Sequence, residues 1–404
     1  MTASAAPRIA VCVPHLGPYQ RARLRAASAR APLVAIEVWS VDETHRQKRS
    51  PEPAGFEMVS LFDDTEIRAS ARPAVRRRMA QALAQLDPAV VVVPGWSDPA
   101  ALAALEWSSR RGRPAVLMSA STAHDERRRW WREALKRRVV AAGSAALAGG
   151  TPQCAYLHAL GLRGDAVATG YDAVDNAHFA GGAQQARASA ARWRCRLGLP
   201  ERFFLASGRF VPKKNLSRLL DAYADYRRQT GGEAYHLVLL GDGDLRPELE
   251  RRSAQADLAG HVILPGFRQY DELPTWYGLA GAFVHASTSE QWGLVVNEAM
   301  ASGLPVIVSK RCGCAPDLVQ DGVNGFTFDP YDVDELARLM QRVAAMTDGQ
   351  RHAMGAVGRR IIADWGPERF AEGLMKAVEA AVSRPSPKAS WFDRALLRAL
   401  AHRR

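Results

Sequence analysis

Two glutamates eight residues apart, Glu290 and Glu298, lie within residues 287–303, STSEQWGLVVNEAMASG. An ionised glutamate only accepts hydrogen bonds, which suits it to sugar hydroxyls. Between the two, Trp292-Gly293-Leu294-Val295 opens an apolar segment. If that segment is a helix, its N-terminus presents unpaired N–H groups and the positive end of a dipole, a setting for the phosphates of a nucleotide. The same spacing also fits two solvated acids at a helix start, where they favour the dipole.

The flanking residues say what must position this stretch. Residues 281–286 form an apolar run that reads as a buried strand, and residues 304–308, LPVIV, read as the next one. The pattern predicts a strand–loop–helix–strand unit, with one carboxylate on the loop and the other in the first turns of the helix.

These residues, Glu290-QWGLVVN-Glu298 followed by AMASGLPVIVS, resemble the E-x7-E signature of the retaining, sugar-nucleotide-dependent glycosyltransferases of family GT4. The resemblance extends to Ser207-Gly-Arg209-Phe-Val-Pro-Lys-Lys214, to Leu240-Gly-Asp-Gly243, to Leu264-Pro-Gly266-Phe267, and to Ala315-Pro-Asp-Leu-Val with Asp321-Gly-Val-Asn-Gly325. It is specific over residues 200–380 and general over 1–180. It implies the GT-B fold: α/β, two Rossmann-like doubly wound domains facing each other across a cleft. The family usually has glycine after the lysine of the GR…K element, and here Asn215 stands there.

Length and composition agree with two domains. At 404 residues the chain exceeds a usual single core. No apolar run approaches the length that spans a bilayer, and residues 1–8 lack the basic start and apolar core of a signal peptide. Five scattered cysteines suggest neither a disulfide framework nor a zinc site, so a cytoplasmic setting is expected. The net charge of +12 fits nucleic acid, an anionic membrane face or a polyanionic substrate. No nucleic-acid motif of defined spacing is present, so nucleic acid is not expected as a partner.

In chain order, residues 8–14 read as a first strand and 19–31 as a helix with arginines on its outer face. Gly17 lies between them, where α/β domains place ligand loops and where the resembling family often has a glycine-rich loop. Strands follow at 33–38, 89–94 and 114–118, with a loop and short edge strand at 51–64. Two segments are rich in base: 73–83, containing Arg76-Arg77-Arg78, and 126–138, containing Trp130-Trp131. Either fits a solvated face, but paired tryptophans among arginines suit a membrane–water boundary. Alternating strands and helices indicate doubly wound parallel sheets. The expected domains are 1–180 on the acceptor side, a linker at 181–200, and a nucleotide-sugar-binding domain at 201–365. A helix at 366–384 is expected to cross back to the first domain. After a Pro/Ser connection comes a basic amphipathic tail at 385–404, which fits a membrane surface or padding of the domain surface equally.

What the resemblance implies for chemistry is transfer of a sugar from a nucleoside diphosphate to an acceptor hydroxyl, with retention. The leaving diphosphate must be stabilised by cations and backbone N–H groups without a metal or other cofactor. Arg209 and Lys214 match the family's diphosphate contacts, and their charges suit that role. Glu290 is expected on the hydroxyls of the transferred sugar and Glu298 on the ribose. Backbone N–H groups of Trp292, Gly293, Leu294 and Val295 would cap phosphate or sugar, Gly266 and Phe267 would hold the base, and Gly17 would approach a phosphate. Many relatives place a histidine directly after the strand that here ends at Met118. This chain has Ser119 there and His124 further on, so His124 is the first-domain candidate. The departing phosphate could also accept the acceptor's proton. The basic segments favour a lipid-linked or glycan acceptor, at the inner face of the plasma membrane. Two alternatives share the fold: a non-catalytic nucleotide-sugar- or glycan-binding protein, and another GT-B enzyme such as an epimerase or glycosyl phosphorylase.

Overall fold

The computed structural model describes residues 8–40, 53–62, 72–384 and 390–402. The expected Pro/Ser connection falls mainly on 385–389, and the reading of the N-terminus on 1–7; both lie outside the described residues. The chain forms two compact units. One comprises Met1–Ala173 with Pro367–Arg404, the other Val174–Gly366.

The first unit is built on a sheet of seven parallel strands: β1 (Ile9–Val13), β2 (Leu33–Trp39), β3 (Glu57–Phe62), β4 (Val90–Pro94), β5 (Ala115–Ser119), β6 (Ala145–Ala148) and β7 (Val167–Thr169), in the order β3-β2-β1-β4-β5-β6-β7. Its central strands read as near-continuous apolar runs because helices cover both faces. The register Ile9↔Leu33 and Ile9↔Val90 places β1 between β2 and β4. The reversal of strand order beside β1 leaves the 14–17 loop at a topological switch point, where open α/β sheets take ligands.

The Pro18–Ser28 helix departs from expectation. Its Arg21 and Arg23 are buried rather than solvated. The cause is non-local, because the Pro367–Val382 helix packs along it. Arg23 is accommodated by donating from Nε to the Ala173 carbonyl at 2.8 Å and lying 5.4 Å from the Tyr171 ring centroid.

The three-arginine segment lies on the Arg72–Leu86 helix and is likewise partly internal. Arg76 forms a fork with the buried Glu106, at 2.8 and 3.1 Å, and Arg78 donates to the Leu61 carbonyl over the Phe62 ring. Glu106 also receives Arg110 and Arg398. Arg398 belongs to the Trp391–His402 helix, which buries Leu397 and Ala401 against the Pro99–Arg111 helix. The amphipathic tail therefore pads this unit with its apolar stripe, while Trp391 and Phe392 stay exposed. The expected basic helix at 126–138 begins only at Trp130 and runs to Val140. No described helix is long and apolar enough to cross a membrane.

The second unit holds six parallel strands: β8 (Phe203–Ser207), β9 (His236–Leu240), β10 (Val262–Gly266), β11 (Ala282–His285), β12 (Val306–Ser309) and β13 (Gly325–Phe328), in the order β10-β9-β8-β11-β12-β13. Residues 181–200, expected as a linker, lie mostly in helices Asn176–Ala188 and Ala190–Leu197 of this unit. The first of these packs on the Leu273–Leu279 helix, with Phe179 edge-on to Tyr277 at 5.9 Å. Its glycines suggest a connection in sequence, yet a Cβ on Gly182 would lie 2.5 Å from Pro274, so Gly182 is a close-packing residue.

Candidate active site

The order β10-β9-β8-β11-β12-β13 reverses direction between β8 and β11, and the residues that could bind a nucleotide gather at the carboxyl ends of those two strands. β8 leads into Gly208 and Arg209, and β11 into residues 286–293.

After β8 the chain is held tightly against the 240–243 turn. Phe210 N–H donates to the Asp242 carbonyl at 2.8 Å, and Gly208 N–H to that of Leu240. Gly241 has φ +141°, and a Cβ on it would sit 1.9 Å from the Gly208 carbonyl oxygen, so only glycine permits this approach. Arg209 is exposed at this corner and forms no ion pair among the described residues. A short turn, Pro212–Lys214, then carries Lys214 toward the end of β11. Asn215 explains why the usual glycine is dispensable. It adopts the left-handed conformation, φ 59° and ψ 32°, which asparagine tolerates better than most residues. Its side chain also donates to the carbonyls of Ala286 and Pro330, at 3.1 and 2.8 Å, bolting the Lys214 turn to the end of β11.

The Glu290 loop is fixed from both sides. Thr288 N–H donates to the Lys213 carbonyl, Gly313 N–H to that of Glu290, and Cys314 N–H to that of Trp292. Gly293, with φ +106°, caps the Leu294–Ala301 helix. Trp292 is buried; its indole N–H donates to Asn297 Oδ1 at 2.9 Å and its ring leans on Trp365. The start of the helix is thus anchored by the buried Trp292 indole, and the first-turn N–H groups point along the helix axis past its N-terminus.

Within this frame Lys214 Nζ donates to Glu290 Oε2. His285 Nε2 lies 3.5 Å from the same oxygen and Ser287 Oγ 3.4 Å from it. Burial alone would push the Glu290 carboxyl up, but the His285 hydrogen bond and the Lys214 charge outweigh it and hold the group well below the usual carboxylate range. His285 is itself lowered, chiefly by burial and against the pull of Glu290. A neutral imidazole at neutral pH leaves Lys214 as the main counter-charge to Glu290. Sequence reasoning passed over His285 as part of an apolar run. The available signal was a histidine closing a buried strand at the sheet end where ligand loops emerge.

Glu298 lies elsewhere, on the second turn of its helix, and is buried. Tyr277 donates its hydroxyl to Glu298 Oε2 at 2.7 Å. Gly266, with φ +90°, ends β10, and its carbonyl accepts the Gly241 N–H; Phe267 follows half-buried. These two therefore adjoin the glycine turn rather than the Lys214–Glu290 pair.

The candidates of the first unit are separate from this cluster in sequence and in fold. Gly17 caps the Pro18–Ser28 helix with ordinary extended backbone, φ −73° and ψ 177°. Its loop is held by the buried Glu37, which accepts from Leu16 N–H at 2.7 Å and from Ser60 Oγ at 2.9 Å. Glu37 also escaped sequence reasoning, because one acid in the strand LVAIEVW gives no hint of its partners. His124 is exposed on a turn in which Thr122 accepts its N–H and Asp125 accepts from Thr122.

Two compact units, each built on a Rossmann-like parallel sheet, are the architecture of the GT-B fold. Comparison with known proteins agrees: residues 190–360 match the model of the glycosyl transferases group 1 family. Among curated proteins, the chain is 33% identical over 178 residues to the GDP-mannose-dependent alpha-(1-6)-phosphatidylinositol monomannoside mannosyltransferase of Mycolicibacterium smegmatis, covering 42% of this chain and 45% of that one. It is 32% identical over 141 residues to the lipopolysaccharide core biosynthesis glycosyltransferase LpsE of Rhizobium meliloti, 35% of this chain and 39% of that one. The chain spans half or less of the length of these relatives. Among solved structures, Anabaena HepE in complex with UDP and glucose superposes with a TM-score of 0.71 at 18% identity, over 93% of this chain and 100% of that one. At that identity the likeness concerns the fold.

Proposed function

We propose that this chain is a retaining glycosyltransferase that moves a sugar from a nucleoside-diphosphate sugar to a hydroxyl of a lipid-linked or glycan acceptor. The observation that carries the reading is the convergence of Arg209, Lys214 and Glu290 on the carboxyl ends of β8 and β11. When the glycosidic C–O bond of the donor breaks, negative charge grows on the diphosphate. Lys214 supplies a compact charge on a flexible stem and Arg209 a fork with two parallel donors. Both stand on backbone that is already fixed, so little reorganisation accompanies the reaction. Glu290 is ionised and can accept from hydroxyls of the transferred sugar; Glu298 takes the ribose role. Held together, these contacts orient the anomeric carbon toward the acceptor. The acceptor's proton leaves with the departing phosphate.

The acceptor class rests on two supports. Both curated relatives above are named for lipid-bearing glycans. The first unit also carries exposed aromatics on adjacent helices, Trp130 at 84%, Trp131 at 39%, Trp391 at 75% and Phe392 at 48% exposure. Arg138 joins the two helices, 3.0 Å from Asp393 and over the Phe392 ring. Exposed aromatics set among arginines suit an anionic membrane surface, and we place the enzyme on the cytoplasmic leaflet. Nucleotide release from UDP-, GDP-, ADP- and dTDP-sugars, with and without a glycolipid extract, tests the reading. Transfer supports it, phosphate-dependent cleavage identifies a phosphorylase instead, and binding without turnover a non-catalytic module.

A further inference from the structure

Lys214 has two demands on it. In the transferase reading, on which this inference rests, the donor diphosphate needs its ammonium, yet the structure gives that ammonium to Glu290. The Glu290 side chain is only 14% exposed. A carboxylate so far out of water is costly if its counter-charge moves away.

His285 is the group placed to answer this. It closes β11, its ring is buried, and its Nε2 faces the oxygen that Lys214 holds. Ser287 Oγ completes a triangle, 3.3 Å from Nε2 and 3.4 Å from Oε2. The ring has little room to leave. Phe283 stacks on it from within the strand, and a Cβ on Gly293 would stand 3.6 Å from Nε2 and 3.5 Å from Glu290 Cγ. Lys214, by contrast, reaches in on a flexible stem from a turn. The charged groups facing the imidazole are Glu290 from its own loop and Lys213 and Lys214 from the turn before Asn215, while from the loop after β12 the Cys312 thiol feels the Glu290 charge and Cys314 Sγ would lie 3.5 Å from a Cβ on Gly293. Arg209 lines the same hollow from the end of β8. Burial keeps the Cys312 thiol protonated.

We propose that His285 is a positioning residue that takes over Glu290 when the donor diphosphate claims Lys214, gaining one proton from solvent and holding the carboxylate toward the transferred sugar. Both changes at that moment act in one direction. Withdrawal of the ammonium removes a cation from beside the imidazole, and arrival of the diphosphate brings negative charge. Donor binding is then linked to proton uptake.

Isothermal titration of the full chain near neutral pH, in buffers of different ionisation enthalpy, measures this directly. The probes are UDP-glucose, GDP-mannose, ADP-glucose and dTDP-glucose. Their diphosphates are esterified at both ends, so any proton counted belongs to the protein. For the probe that binds, the expected uptake is about one proton per site. His285→Asn should abolish it and lower kcat about tenfold with KM little changed. His285→Gln, whose amide can reach toward Glu290, should recover part of kcat but none of the uptake. A residue that merely fills space would leave the proton count unmoved. Binding without uptake by the unmodified chain, or equal uptake by His285→Asn, overturns the inference while leaving the transferase reading intact. Binding of none of the four probes removes that reading and this inference with it.

Discussion

Lys214 and Glu290 form an ion pair at the end of a parallel sheet, each side chain only 14% exposed, and the proposed transferase reading sets both against the nucleotide sugar. The pair therefore contributes to the fold as well as to binding. The Glu290 carboxyl titrates below its value in an unfolded chain. Unfolded chains then bind more protons than folded ones over that interval, so the contribution is complete above the ordinary glutamate range and fades as pH falls through the folded value. Urea unfolding at pH 7, 5 and 3 should show Glu290→Gln less stable than the unmodified chain at pH 7, with the gap closing toward pH 3. A gap that widens on acidification would contradict the pairing.

Lys214→Ala should lower kcat by about 10²–10³, the usual effect of losing one preorganised contact to developing charge. Activity of the unmodified chain should survive excess EDTA, since the proposed reading has Arg209 and Lys214 supply the cations. Steady-state rates on the donor found by the release screen check both points. Full loss on chelation, restored by magnesium or manganese, would assign the charge to a metal.

Tyr277 and Glu298 should act together on donor affinity. Glu298→Ala is expected to weaken donor binding more than it slows turnover. Tyr277→Phe removes the 2.7 Å hydrogen bond that orients the carboxylate and should weaken binding about fivefold. If Tyr277→Phe leaves affinity unchanged while Glu298→Ala destroys it, the bond has no orienting role.

The sequence and the structure part company where contacts are distant along the chain. The strand–loop–helix unit around Glu290 was legible because local features define it: an apolar run, a polar turn, and glycine at the helix cap. Both parallel sheets were legible for the same reason, in repeated apolar strands. Arg21 and Arg23 were misread because the helix that buries them begins at Pro367. Arg76 looked solvated because its partner Glu106 is 30 residues away, and the tail's Arg398 reaches that acid across 292. His285 was hidden differently. A histidine in a run of apolar residues carries no mark of its partner until the loop folds Glu290 back over the strand end.

Glu106 ties three arginines from separate turns and helices into the first unit, and it is almost fully buried. Burial would raise its carboxyl, but Arg76 and Arg398 more than offset this and keep it ionised. Glu106→Ala leaves those arginines without their acid and should destabilise the unit by about 3 kcal/mol or more. Limited proteolysis should then release the 390–402 helix, which a Glu106→Ala chain no longer holds through Arg398. An unchanged melting curve would mean the arginines find water at no cost.

Membrane binding should depend on the exposed aromatics rather than on the arginine count. Arg76 and Arg78 are engaged within the unit, and Arg398 is paired with Glu106, so they offer less to a lipid surface than composition suggests. Arg132, Arg137 and Arg138 remain exposed beside Trp130 and Trp131. Each basic residue near an anionic leaflet contributes about 1 kcal/mol, and salt removes that attraction within a Debye length. Inserted aromatic rings resist salt. Deleting 385–404 would strip Leu397 and Ala401 from the core and confuse membrane affinity with unfolding. The sharper test is Trp130→Ser with Trp391→Ser, which changes side chains that are 84% and 75% exposed and should leave the fold intact. Co-sedimentation with vesicles containing phosphatidylglycerol should fall for this double variant, most clearly at high salt, where the unmodified chain retains a residual bound fraction. Equal binding by both proteins, or none by either at physiological ionic strength, would rule this face out as the membrane contact.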